Sequence, residues 1–203
     1  MPDDTSSEAP TRKRPRPGER RVQILQTLAS MLEEPGGDRV TTAALAARIG
    51  VSEAALYRHF ASKAQMFEAL IEFIESSVFA LVNQISESAA PGSLPAQRML
   101  SLLLQFGEKN PGMTRVMVGD ALVYENDRLN ARMNQFFDRV ESQIRQSLRA
   151  AAEEAGSATP TVDAQAQASV VCAFALGRLQ RFARSDFKRA PTEHLDHALR
   201  LMF

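Results

Sequence analysis

Apolar side chains recur at three- and four-residue intervals along most of the chain, the period of one face of an α-helix. Over residues 19–34 the stripe is Val22, Leu25, Leu28 and Leu32, ended by two acids, Pro35 and Gly36–Gly37. From 63 to about 87 it is Phe67, Leu70, Ile71, Ile74, Val78, Leu81, Val82 and Ile85, with Phe73 off the main line. Pro95 can open the next helix, which runs through Leu100, Leu103, Leu104 and Phe106 to Lys109 and is stopped by Asn110-Pro111-Gly112. A short segment at 114–118 precedes a long helix from about 126 to 154, carrying Leu129, Met133, Phe136, Phe137, Val140, Ile144 and Leu148. A helix at 162–184 is rich in small residues, and Pro191-Thr192 opens a last short one ending at 203. No alternating strand pattern and no internal repeat interrupts this. The pattern predicts an all-α fold of about nine helices.

The stretch 41–63, TTAALAARIGVSEAALYRHFASK, breaks into two short helical segments. Ala43 to Ala47 is a run of strong helix formers. Gly50 stands where a helix end favours positive φ, and Ser52 can cap the next helix with Glu53 at the positive end of its dipole. The second segment, 53–60, turns Ala55, Leu56 and Phe60 inward and leaves Ala54, Tyr57, Arg58 and His59 on or near the other side. An αα-hairpin of this composition could simply belong to a helical bundle. Two short helices on a tight glycine turn, the second carrying aromatic, basic and hydrogen-bonding groups, also make a helix-turn-helix. In that arrangement Ser52 and Ala54 meet base edges in the major groove, while Tyr57 and His59 hydrogen-bond phosphate. Lys63 adds charge at the next helix start, and Thr42 reaches phosphate beside the free N–H groups of its own helix.

The longer string GVSEAALYRHFASKAQMFEALI, residues 50–71, is similar to the TetR family of DNA-binding proteins. The resemblance rests on the spacing Tyr57-x-x-Phe60-x-x-Lys63, which joins the recognition helix to the helix after it.

The formal net charge is zero, but it is unevenly placed. Residues 11–63 carry ten Lys+Arg against five Asp+Glu, whereas residues 64–203 carry fourteen against sixteen. A basic N-terminal unit on a near-neutral body points to a nucleic-acid surface at one end. Residues 1–17, with four prolines and Arg12, Lys13, Arg14 and Arg16, bury too little apolar surface to order alone. They are expected to be a flexible tail able to reach DNA phosphates. The expected organisation is this tail, a DNA-binding unit at 18–63, and a helical dimerisation and partner-binding unit at 64–203.

Catalytic chemistry is not evident, and no enzyme is expected. His194 and His197 stand at i, i+3, but no carboxylate or cysteine pattern completes a metal site, so neither metal nor other cofactor is expected. The single cysteine, Cys172, excludes an internal disulfide and reads as a small core residue. No apolar run approaches a membrane span, and the N-terminus lacks a signal-peptide core. The protein is therefore expected in the cytoplasm.

The long helix with Phe136, Val140, Ile144 and Leu148, beside the small-residue helix with Ala168, Ala175 and Gly177, predicts a two-fold four-helix interface between copies. Three body segments narrow the family further: FGEKNPGMTRVMVGDALVYENDRLNARMNQFF at 106–137, IEFIE at 71–75 and SDFKRAPTE at 185–193. They resemble the nucleoid occlusion branch of the TetR family. That resemblance implies a homodimer on palindromic sites in double-stranded DNA, associated with the nucleoid. It also implies a second partner, the tubulin-like division GTPase FtsZ, held through its C-terminal tail. In that branch the FtsZ groove lies between the long linking helix and the next one, at positions matching Phe73, Leu102, Gln105, Lys109 and Asn110. The alternative is a ligand-responsive transcriptional repressor. The almost wholly apolar interior positions of 95–182 favour the first reading, for which no small-molecule ligand is expected.

Overall fold

The computed structural model describes residues 18–37, 39–88 and 94–203. The tail expected at 1–17 lies outside them. The described residues form nine α-helices and one short 3-10 turn, with no strand among them. Helices α1 (Glu19–Glu33), α2 (Thr42–Ile49) and α3 (Glu53–Tyr57) make the N-terminal unit, and α4 (Lys63–Glu87) runs from it into the body. The body adds α5 (Pro95–Lys109), α6 (Pro111–Met117), a 3-10 turn at Asp120–Leu122, α7 (Asp127–Glu154), α8 (Pro160–Arg184) and α9 (Leu195–Met202).

Helix α4 is capped by Ser62, whose hydroxyl accepts from the Gln65 N–H at 3.2 Å, while the Gln65 side chain accepts from the Ala61 N–H at 2.9 Å. This reciprocal arrangement fixes where the linking helix starts. From there Met66, Phe67, Leu70, Ile71, Ile74, Val78 and Val82, all at most 2 % exposed, join both units to one core. At the other end of α5, Pro111 does more than stop a helix. Its fixed φ also suits a first helical turn, so α6 begins at once and starts earlier than the expected 114.

Three apolar stripes differ from expectation, that of α4 only by Leu81, which is 41 % exposed. In α1 the buried side chains are Ile24, Leu28, Ala29, Met31 and Leu32, and Val22 is 53 % exposed. The inward face is turned by α6, which packs across α1. In α7 every expected apolar position is buried, because the helix packs against α4 and α5 on one side and α8 on another. Its wide stripe therefore serves packing within one chain. Aromatic rings mark the joint: Phe136 meets Phe79 edge-on at 5.6 Å between centroids, and Phe137 at 5.1 Å.

Candidate nucleic-acid interface and partner groove

The turn between α2 and α3 is built as its residue types require. Gly50 takes φ 76°, and its N–H donates to the carbonyls of Ala46 and Ala47 at 3.0 and 3.1 Å. Ser52 caps α3 by accepting from the Ala55 N–H at 3.3 Å. Leu56 and Phe60, at most 1 % exposed, anchor α3 and the turn after it. On the N-terminal flank, Arg21 places its guanidinium 3.9 Å from the Phe60 ring centroid and donates to the His59 carbonyl at 2.7 Å. The exposed side is thereby left to Ser52, Ala54, Tyr57, Arg58 and His59. Tyr57 is 45 % exposed.

Thr41, not Thr42, caps α2, accepting from the Ala44 N–H at 3.2 Å. Thr42 instead donates its hydroxyl to Glu53 at 2.7 Å, which ties the start of α2 to the start of α3. Lys63 is not a free cation. Its ammonium pairs with Glu125, from the segment between the 3-10 turn and α7, and lies 5.6 Å from the Phe67 ring centroid. The sequence gives no sign of this pair, because 62 positions separate the two residues. Arg58, not among the residues expected to contact DNA, is exposed on the same surface as Tyr57.

The positions expected to hold the second partner lie on two packed helices. Phe73 projects from α4 and is 49 % exposed. Leu102, Gln105 and Lys109 follow one another at i, i+3, i+7 on α5, so they share a face; Leu102 is half-buried and the other two are exposed. Asn110 is half-buried, and its amide nitrogen donates to the Phe106 carbonyl at 2.8 Å. Part of its hydrogen-bonding capacity thus serves the end of α5. Gln105 also borders a cleft of about 450 Å³ with Thr192, His194, Leu195, Asp196 and His197, so the C-terminal segment flanks this face. Thr192 is held there by donating to Glu108.

Most of the residues expected at the dimer interface are enclosed within one chain. Phe136, Val140, Ile144, Leu148, Ala168 and Ala175 are at most 5 % exposed within one chain. Side chains so enclosed leave little surface for a second copy to touch. Of the seven, Gly177 alone is exposed, with nothing within 4 Å of where a Cβ would stand. The outward face of α8 carries Val170, 61 % exposed, Leu176, 39 % exposed, and exposed Ala173 beside it. A shallow cleft of about 380 Å³ continues this face onto α7 through Asn134, Asp138 and Glu141. Cys172 lies at its floor, 7 % exposed, where burial first and the nearby acids second push its thiol up to about 11. A neutral thiol there is inert.

Among the described residues no cluster of three or more His, Cys, Asp or Glu could hold a metal ion, and no helix is long and apolar enough to cross a membrane. His194 and His197 border the same cleft beside Gln105. His194 takes φ 57° before α9, while His197 contacts Arg200 at 2.9 Å.

Comparison with known proteins agrees with this geometry. Residues 24–70 match the family described as bacterial regulatory proteins, tetR family, and residues 94–203 match the SlmA-like tetracyclin repressor-like C-terminal domain. The fold resembles the fatty acid degradation regulator FadR from Bacillus halodurans, with TM-score 0.71 and 15% identity over 91% of this chain and 95% of that one. It is also similar to the TetR family transcriptional regulator PfmR from Thermus thermophilus, with TM-score 0.69 and 20% identity over 89% and 93%. Sequence likeness is far higher elsewhere. The nucleoid occlusion factor SlmA of Photobacterium profundum is 50% identical over 184 residues, 90% of this chain and 93% of its own. That of Escherichia coli (strain K12 / DH10B) is 50% identical over 178 residues, 87% and 89%. With half its residues shared over nine-tenths of its length, the chain belongs to the SlmA nucleoid occlusion branch of the TetR family.

Proposed function

We propose that the chain is a DNA-associated inhibitor of cell division. It acts as a dimer, docks α3 in the major groove of palindromic chromosomal sites, and binds FtsZ through the exposed face of α4 and α5. FtsZ polymers near the bound DNA are then disrupted, and the division ring is kept off the nucleoid. The observation that carries this reading is the 50% identity to nucleoid occlusion factors along nearly the whole chain, body included. The division of surfaces supports it. Tyr57, Arg58 and His59 are exposed at one end, while Phe73, Gln105 and Lys109 are exposed on the body.

The DNA-binding step is electrostatic before it is specific. Exposed cations and the tyrosine hydroxyl would meet phosphates and set the register, and the small side chains Ser52 and Ala54 would allow close approach to base edges. For FtsZ, the short C-terminal tail would lie along the α5 face as a peptide in a groove. Lys109 would pair with a tail carboxylate, and Phe73 and Leu102 would supply apolar contact. The dimer would form through the outward face of α8 around Ala173, Leu176 and Gly177, where small side chains permit close helix approach. Pelleting of FtsZ polymers with the protein and DNA present tests the whole reading.

A ligand-responsive repressor is the second reading; the fold is shared with FadR of Bacillus subtilis, which was solved in complex with stearoyl-CoA. That likeness is at 14% identity and carries the fold alone. Between α4 and α8 the interior holds Leu70, Ile74, Leu100, Leu104, Phe136 and Leu179 at 2 % exposure or less, a packing that favours the adaptor.

A further inference from the structure

Two cations bracket the helix-turn-helix in sequence, Arg39 before α2 and Lys63 at the start of α4, and both turn toward the same short body segment. The Arg39 guanidinium lies 5.0 Å from the Tyr124 ring centroid, and the Lys63 ammonium pairs with the Glu125 carboxylate. The segment is itself fixed: the Glu125 N–H donates to the Leu122 carbonyl at 3.0 Å, and Asn126 caps α7 by accepting from the Arg128 N–H at 3.0 Å. Glu125 is the more enclosed partner, with 10% of its side chain exposed against 28% for Lys63. Tyr124 is 67 % exposed.

We infer that Glu125 is a built-in competitor for DNA phosphate, holding Lys63 in the DNA-free chain so that a phosphate must share or displace its carboxylate. The inference rests on the DNA-binding reading above and adds a residue of the body to the determinants of affinity. A cation already paired with a fixed carboxylate neutralises less of an approaching phosphate and releases fewer counterions from it. Sequence-independent binding is therefore held down by a residue that touches no DNA. When DNA draws Lys63 away, Glu125 loses its partner at the foot of α7, and the body registers occupancy at the same position.

Fluorescence anisotropy with a random-sequence duplex, over a range of salt concentrations, tests this on the full chain as wild type, Glu125→Gln, Lys63→Gln and the double variant. Glu125→Gln should bind about two- to fivefold more tightly, the range that a surface ion pair is worth. Its log–log salt dependence should steepen by about one unit per added phosphate contact. In the Lys63→Gln background the same change should do nothing. Tightening that persists without Lys63 would reduce the effect to net charge and overturn the inference, as would unchanged or weaker binding by Glu125→Gln at an unaltered melting temperature. Should Glu125→Gln melt early, Glu125→Asp keeps the charge and shortens its reach, and an intermediate tightening is expected from it; none overturns the inference. A wild-type chain whose binding ignores salt overturns the DNA reading, and the inference with it.

Discussion

Gly112 of α6 lies directly beneath the backbone carbonyl of Ala29 in α1: a Cβ on Gly112 would stand 2.0 Å from that oxygen. One turn of α6 later, Arg115, 5 % exposed, donates to the Glu34 carbonyl at 3.1 Å and reaches Asp186 at 3.3 Å. Helix α6 thus joins the end of α1 to the body. A methyl group at position 112 would meet backbone, which cannot move aside as a side-chain tip can. Gly112→Ala should therefore cost about 1–3 kcal/mol, as overpacking does, and lower the melting temperature by several degrees. An unchanged melting temperature would show that the joint is looser than the geometry indicates.

Tyr57→Phe removes a hydroxyl from an exposed residue and no packing that the fold relies on. Specific and random duplexes should both be bound roughly tenfold more weakly, since on the proposed reading the lost hydrogen bond would be to a charged phosphate. A titration in which only the specific duplex weakens would make Tyr57 a base contact instead.

Gly177→Leu separates the two kinds of position on α8. The site is open in a single chain, so the variant should keep its melting temperature, yet sedimentation should find it monomeric because close helix approach is blocked. Ile144→Ala, at a side chain wholly buried in one chain, should behave oppositely and lose about 2–5 kcal/mol of stability. A Gly177→Leu variant still dimeric at micromolar concentration would place the interface on another face.

Lys109→Glu reverses a charge on an exposed rim. Binding of a labelled FtsZ tail peptide should fall by tenfold or more, with duplex binding and melting temperature unaltered. Loss of both activities would mean a folding defect, and loss of neither would put the FtsZ site elsewhere.

Cys172 gives a pH test. With its thiol raised to about 11, the folded chain holds about two-hundredfold less thiolate near pH 8 than an unperturbed cysteine would. Alkylation should be slow in the native protein and fast after unfolding. The sign for stability follows: the preference for neutral thiol is fully present below about pH 8.5 and is lost as pH rises toward 11. Rapid native labelling at pH 8 would contradict this burial.

The long periodic helices were legible in the sequence because burial follows the apolar stripe wherever one face dominates, as along α5 and, apart from exposed Leu81, along α4. The helix-turn-helix was legible because Gly50, Ser52 and Phe60 each do a local job that residue type alone announces. What escaped was set by neighbours. Val22 fits the α1 stripe but is exposed, since α6 selects the adjoining face. The broad stripe of α7 reads equally as an intermolecular seam or as a helix enclosed on two sides, and only the packing of α4, α5 and α8 around it shows how much of that stripe one chain covers. The Lys63–Glu125 pair is invisible to any local pattern. The FtsZ face rests on resemblance, because exposed Phe73 and Lys109 alone would pass for ordinary surface.

The central claim is that a DNA-bound dimer disassembles FtsZ polymers, and co-sedimentation measures it most directly. FtsZ assembled with GTP is pelleted alone, with the protein, and with the protein and chromosomal DNA together. The account predicts that the protein lowers the pelletable FtsZ, most strongly when DNA is present, and that Lys109→Glu restores the pellet. An FtsZ pellet of equal size in all three tubes, with the protein left in the supernatant, would contradict it.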